Sequence, residues 1–426
     1  MRITTGVRLA VVLGLLATGA ACGGSGSQGG SGGGKVQLTL LSHYGSDPAK
    51  TGLDKMLDQW NKENPDIQVK SEVVKFDDLQ TTLTVRQTGG RGADIVSAYG
   101  LWGGQLQKAN VLAKVPDDVA KSINASYSPA ALGAVTTSGS LLGYPTELNT
   151  YALFYNKKIL AAAGITKPPA TWAELEATAK KVAKRDAKGN VQVEGLSLIQ
   201  DGDNKSAHPF LSLLDSAGGK FLGSDGKAEF DNEQGKAALK LEADLAAAKA
   251  TDPSISPTKQ FRSSGVAMAI QAGWWIGSLK TQMADKYSDV GVAPVPGPTA
   301  GSKGSLAYGF FMGVNQRSKH AEEAWKFLAW LNDHKNDNGV TGMGQYLADM
   351  GLIPPRTADA ATLKKSLSDP NLVPIYDAAT YAMPEPNMPG AYEAKTALHN
   401  SIMTVLVDGK SPDEALANAA KAVKPQ

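Results

Sequence analysis

The stretch VQLTLLSHYGSDPAKTGLDKMLDQWNKENPDIQVKSEVVKFDDLQTTLTVRQTGGRGADIVSA, residues 36–98, decides the fold class. VQLTLL (36–41) reads as a strand. After it, Leu53, Met56, Leu57 and Trp60 fall at i, i+3, i+4 and i+7, which gives a helix one apolar face. IQVKSEVV (67–74) alternates as a strand does, a helix rich in Leu and Thr follows, and DIVSA (94–98) is a short third strand. Strand, helix, strand, helix, strand predicts an α/β domain around a mostly parallel sheet. Ligands of such sheets sit beyond the carboxyl ends of the strands. Those ends are Ser42, His43 and Tyr44 after the first strand, and Tyr99, Gly100, Leu101 and Trp102 after the third.

Further along, long helices take over. TWAELEATAKKVAK opens with a capping box, Thr171 as N-cap and Glu174 three residues on, and Pro168 and Pro169 stop the element before it. Asn232 is placed to cap a helix ending near Ala250. GVAMAIQA (265–272) reads as a buried strand running into Gly273, Trp274 and Trp275. YGFFMGV (308–314) is a late strand, and the next helix puts Ala324, Phe327, Leu328 and Leu331 on one face. The last helix opens at Ser411, Pro412 and Glu414. Trp60, Trp172, Trp325 and Trp330 lie at helical spacing and are assigned to the core.

Toward the N-terminus, Arg2 and Arg8 flank the start of an apolar run, LAVVLGLLA (9–17), and the small residues Gly19, Ala20 and Ala21 precede Cys22, the sole cysteine. This is the pattern of an export signal, and the run is too short to span a bilayer. A sole cysteine at the cut resembles the lipobox of bacterial lipoproteins, in which the thiol is acylated and becomes the new N-terminus. Gly19 stands where those proteins usually carry Leu, Val or Ile. A cysteine-free exported body offers Cys22 no disulfide partner. The expectation is a signal peptide over 1–21 and a lipidated Cys22 with a Gly/Ser tether over 22–34, its reach roughly 20 Å. Without residues 1–21 the chain carries 41 basic and 41 acidic residues, which argues against nucleic acid as a partner. There is no HExxH, GxSxG, P-loop or paired-cysteine motif, and five histidines are scattered, so no catalytic residue, metal or cofactor is assigned. Glycosidases need only two suitably spaced carboxylates, so a secreted polysaccharide-acting enzyme remains the competing class.

GYPTELNTYALFYNK, residues 143–157, resembles the first interdomain crossover of extracellular solute-binding proteins of carbohydrate ABC importers, the group that includes maltose-binding protein. The shared features are Tyr144-Pro145, Asn149 and Tyr155-Asn156-Lys157. AAAGITKPPATWAEL, GVAMAIQAGWW (265–275), AYGFFMGVNQRSKHAEEAWKFLAWL (307–331) and GLIPPR (351–356) match further blocks in the family's order. The resemblance implies a two-lobed fold with three interlobe crossovers and the ligand in the cleft. Lobe one would be residues 35–145 plus 308–345, and lobe two 146–307 plus 346–426. It also implies a monomer at the extracytoplasmic face of the membrane that delivers a sugar to permease subunits. The same fold could instead take a glycerophosphodiester, an amino sugar or another polar solute, or serve a membrane sensor.

Sugars present flat C–H faces and many hydroxyls, so their sites combine aromatic rings with converging polar groups. Trp274 stands where the family places a stacking aromatic, with Trp275 beside it. Tyr99 and Trp102 follow a strand that contacts ligand in the family, and His43 and Tyr44 end the first strand. Asn149 occupies a crossover position at which the family often bonds ligand. Arg356 closes GLIPPR, and its guanidinium could fork onto hydroxyls or an acid. Tyr392 falls near a second family aromatic. His208 and Asp203, in DGDNKSAHPF, complete the candidates.

Overall fold

A computed structural model describes residues 35–199, 205–365 and 367–424. Their main sheet has ten strands: β1 (Val36–Ser42), β2 (Ile67–Val73), β3 (Ile95–Tyr99), β4 (Tyr144–Asn156), β5 (Lys184–Arg185), β6 (Val191–Ser197), β7 (Val266–Ala272), β8 (Val290–Ala293), β9 (Leu306–Val314) and β10 (Met383–Pro384). The order is β2-β1-β3-β9-β4-β7-β6-β5, with β8 on β4 and β10 on β9. β1 lies parallel to both β2 and β3, as the alternation in 36–98 predicts. The predicted helix between β1 and β2 is α1 (Ala49–Glu63), and Leu53, Met56, Leu57 and Trp60 are its buried residues. Each such side chain contributes about 1.5–3 kcal/mol by leaving water. α2 (Phe76–Thr88) connects β2 to β3.

One strand joins the two halves of the sheet. The first part of β4 pairs antiparallel with β9, from Tyr144 opposite Met312 to Thr150 opposite Ala307. Its second part pairs with β7, from Tyr151 opposite Ala272 to Tyr155 opposite Met268. β4 and β9 are buried along nearly their whole length; β9 reads as an apolar run, whereas β4 buries Thr146, Glu147, Asn149 and Thr150 in its first half.

The remaining helices cover the sheet: α3 (Trp172–Val182), α4 (Ala207–Ser216), α5 (Glu233–Ala247), α6 (Trp275–Met283), α7 (Ala321–Asp333), α8 (Gly342–Asp349), α9 (Ala391–Asp408) and α10 (Pro412–Ala422). The caps follow the sequence. Thr171 Oγ1 accepts from Glu174 N at 3.2 Å, and Glu174 reaches back to Ala170 N at 2.7 Å, one residue before the N-cap. Asn232 caps α5 by accepting from Gly235 N. That helix stops at Ala247, short of the expected Ala250, because Lys249 turns left-handed (φ 56) and Ala250 N bonds back to Leu245 O. Trp60 lies in the core against Phe327 and Trp330, and Trp172 donates to Pro296 O. No helix among the described residues is long and apolar enough to cross a membrane.

Candidate functional site

A cavity of about 260 Å³ opens beyond the carboxyl ends of β1 and β3, where the sheet order predicts a ligand. Four strands supply its core: His43 and Tyr44 follow β1, Tyr99 ends β3, Glu147 comes from β4, and Tyr308 and Phe310 from β9. The period of two along β9 turns Tyr308 and Phe310 to the same face. Phe76 at the start of α2, His208 on α4 and Trp274 just before α6 close the ring, and Asp47, Lys205 and Ser278 add polar groups.

The aromatic side is tightly packed. Tyr99 and Phe310 stack at 5.4 Å, Tyr308 meets Tyr99 edge-on at 5.6 Å, and His43 lies 4.8 Å from Phe310. The Lys205 ammonium sits 4.2 Å above the centre of Phe76. Burial, reinforced by the charge of Lys205, pushes the His43 pKa down to about 3, so this imidazole is neutral at physiological pH.

Glu147 is the buried carboxyl of the cavity. It accepts from the Tyr44 hydroxyl and from Asn149 Nδ2, the latter at 3.1 Å, while His43 Nε2 lies 3.9 Å away. Burial pushes its pKa up against these bonds and against Lys205. Its carboxylate has more acceptor positions than the two that Tyr44 and Asn149 fill.

The predicted residues divide. His43, Tyr44, Tyr99, Trp274 and His208 line the cavity. Asn149 lies behind Glu147 and orients it, with its own Oδ1 unpartnered. Trp102 stacks on Phe76 at 5.1 Å and shares a narrow annex of about 20 Å³ with Tyr392, Tyr99 and Lys205. Tyr392 also borders an outer groove between the 101–109 segment and α9.

Two readings are corrected. Trp275 is 1% exposed and packs between Phe154 and Phe261, at 5.2 and 4.9 Å, because the first turn of α6 points its side chain into the core and away from Trp274. Arg356 lies outside the cavity, in a crevice with Tyr127 and Asn332, drawn 3.8 Å from Asp359 one turn along the next helix. Cys22 and Asp203 fall outside the described residues.

Asp47, Phe76, Glu147, Lys205, Ser278, Tyr308 and Phe310 are among the cavity residues that the sequence reading missed. Glu147 and Asn149, two apart on one strand, share a face, and that spacing was the available signal. Behind Tyr99 and His208 lies a buried ion pair without any such signal, Lys395 to Glu385 at 2.8 Å.

A sheet joined by long central strands, with an aromatic and carboxyl-lined cavity at the junction, defines a two-lobed binding protein. Residues 45–338 match the bacterial extracellular solute-binding protein family, and the chain belongs to it. A putative binding protein of Brucella abortus is 24% identical over 402 residues, 91% of this chain and 92% of its own. An arabinooligosaccharide-binding protein of Bacillus subtilis is 24% identical over 301 residues, 66% of each chain. Among solved structures, the cyclic alpha-maltosyl-1,6-maltose binding protein of Arthrobacter globiformis superimposes with a TM-score of 0.74 at 25% identity, covering 92% of this chain and 98% of that one. The GacH receptor of Streptomyces glaucescens, solved unliganded and with acarbose, gives 0.76 at 24% identity over 91% of this chain and 97% of that one. These relatives are binding proteins.

Proposed function

We propose that this protein is the substrate-binding component of an ABC importer, capturing a neutral sugar or short oligosaccharide in the cavity and presenting it to a permease. The observation that carries the reading is the pairing of carbon-faced rings (Tyr99, Phe310, Trp274) with the Glu147 carboxyl in one cavity. The rings suit the C–H face of a sugar and the carboxyl suits its hydroxyls. Relatives named for arabinooligosaccharide, maltotriose and cyclic maltosyl-maltose support the same class. Arg356 lies outside the cavity, and the one cation lining it among the described residues, Lys205, is balanced by the carboxyls of Glu147 and Asp47, which favours a ligand without net negative charge. An amino sugar is the second reading, because Glu147 and Asp47 could hold an ammonium.

In this reading residues 35–145 plus 308–345 and 146–307 plus 346–426 are the two lobes, and the protein is a monomer without catalytic activity. Cys22 carries a lipid that holds it at the outer face of the membrane. A ligand that touches both lobes favours the closed form, so binding shifts the population toward the shape that a permease accepts. The test is a thermal-shift panel of neutral oligosaccharides, amino sugars, phosphodiesters and amino acids. A ligand bound only by the folded state raises Tm. A shift with neutral sugars is expected, and shifts confined to charged solutes would overturn the ligand class.

A further inference from the structure

Five chain segments meet behind the aromatic side of the cavity. Lys395, on α9, is 0% exposed. Its ammonium lies 2.8 Å from Glu385 Oε1, 2.9 Å from Tyr99 Oη and 2.9 Å from His208 Nε2. An ammonium offers three N–H donors and no acceptor. One donor therefore goes to each of these atoms, and each must accept. His208 Nε2 is then the bare nitrogen, so the neutral ring carries its proton on Nδ1, which donates to Tyr151 Oη at 2.5 Å. Glu385 Oε1, at 3.5 Å from Nε2, is farther off than the ammonium and does not compete for that nitrogen. Tyr99 Oη accepts from Lys395 and donates its own proton to Glu385 Oε2. Every polar atom of the Tyr99 and His208 side chains is committed to this network, yet both residues line the cavity.

We propose that Lys395 and Glu385 are positioning residues of the ligand site, holding His208 as its neutral Nδ1–H tautomer and the Tyr99 hydroxyl inward, so that both rings turn only carbon toward the ligand. The ligand face received there is an apolar C–H surface, and the ligand's hydroxyls are left to polar groups such as Glu147, Asp47, Lys205 and Ser278. The consequence for ligand class rests on the sugar-binding reading; the proton order of the network does not.

The groups facing His208 are Lys395 from α9, Glu385 just after β10, Tyr151 from β4, Tyr308 from β9, and Lys205 just before α4, with Tyr99 from β3 sharing the Lys395 ammonium. Burial first, then the charge of Lys395, holds the His208 pKa down at about 4 against the pull of Glu385. Without the ammonium, Glu385 becomes the dominant neighbour and that pKa rises.

Nitrogen NMR of protein labelled at its histidines reads this directly, with the His208 signals assigned by their loss in His208→Gln. The expected wild-type result is a single tautomer protonated on Nδ1 and neutral down to about pH 4. In Lys395→Met the proton should move to Nε2, facing Glu385, and the titration should rise toward the ordinary histidine value of about 6.5. An Nε2–H tautomer in the wild type, or a titration unmoved in Lys395→Met, overturns the proposal. Glu385→Gln keeps the ammonium and serves where Lys395→Met does not fold. It should retain the Nδ1–H tautomer, and losing it would count equally against the proposal. None of these readings needs a ligand. The NMR result can hold while every sugar fails to bind, in which case the ligand class falls and the positioning role stands.

Discussion

Glu147 and Glu385 are both buried carboxyls beside one cavity, and they are held in opposite ways. Glu147 is held by neutral donors, Tyr44 and Asn149, and burial pushes its pKa up. Burial would also raise Glu385, but the charge of Lys395 and the contact with His208 outweigh it and bring the pKa down to about 2. A carboxylate held by a cation can take a new donor only by weakening that pair. One held by neutral donors keeps lone pairs for ligand hydroxyls. On the proposed function, the difference separates a recognition group from a structural one.

The comparison breaks most readily at Lys395. Lys395→Met leaves the Glu385 charge buried without its cation, and an uncompensated buried charge costs about 3–5 kcal/mol. Urea unfolding at neutral pH should show a loss of that size, with most of it restored in the Lys395→Met, Glu385→Gln double variant. A loss near zero would make the pair an ornament of the fold.

Glu147→Gln addresses the other half. Removing a charged acceptor from ligand hydroxyls should weaken sugar binding by about 1.5–3 kcal/mol, roughly tenfold to a hundredfold. Unchanged affinity in a calorimetric titration would take Glu147 out of recognition. Trp274→Ala should weaken binding by at least about 1 kcal/mol through lost ring contact.

The smallest effects lie in the pH dependence of stability, where the two carboxyls carry opposite signs. Glu385 has a depressed pKa, so its contribution is present above the unfolded value of about 4.3 and is lost as pH falls toward about 2. Glu147 has a raised pKa, so its contribution is full below the unfolded value and is lost as pH rises through the folded one. Thermal melts of Glu147→Gln should therefore gain on the wild type as pH rises from acid to neutral, and melts of Glu385→Gln should lose. Parallel profiles would show that the two environments do not differ as described.

Local pattern made the first three strands, their helices and the caps at Thr171, Asn232 and Ser411 legible, because each depends on residues a few positions apart. The ends of β1 and β3 lie at the cavity. Adjacent tryptophans at a helix start must face different ways, and nothing local says which one enters the cavity. The partner of Arg356 was visible in principle, since Asp359 lies one helical turn on. The network behind the cavity was not. Tyr99 is 286 residues from Glu385 and 296 from Lys395, and only the pairing of β3 and β10 with β9 and the packing of α9 bring them together.

The most direct test of the account is a calorimetric titration of the wild type, Glu147→Gln and Trp274→Ala with neutral oligosaccharides and with a phosphorylated sugar. The account predicts that a neutral oligosaccharide binds the wild type, that both variants bind it more weakly, and that the phosphorylated sugar does not bind. Binding only of the phosphorylated sugar, or equal affinity in all three proteins, would contradict it.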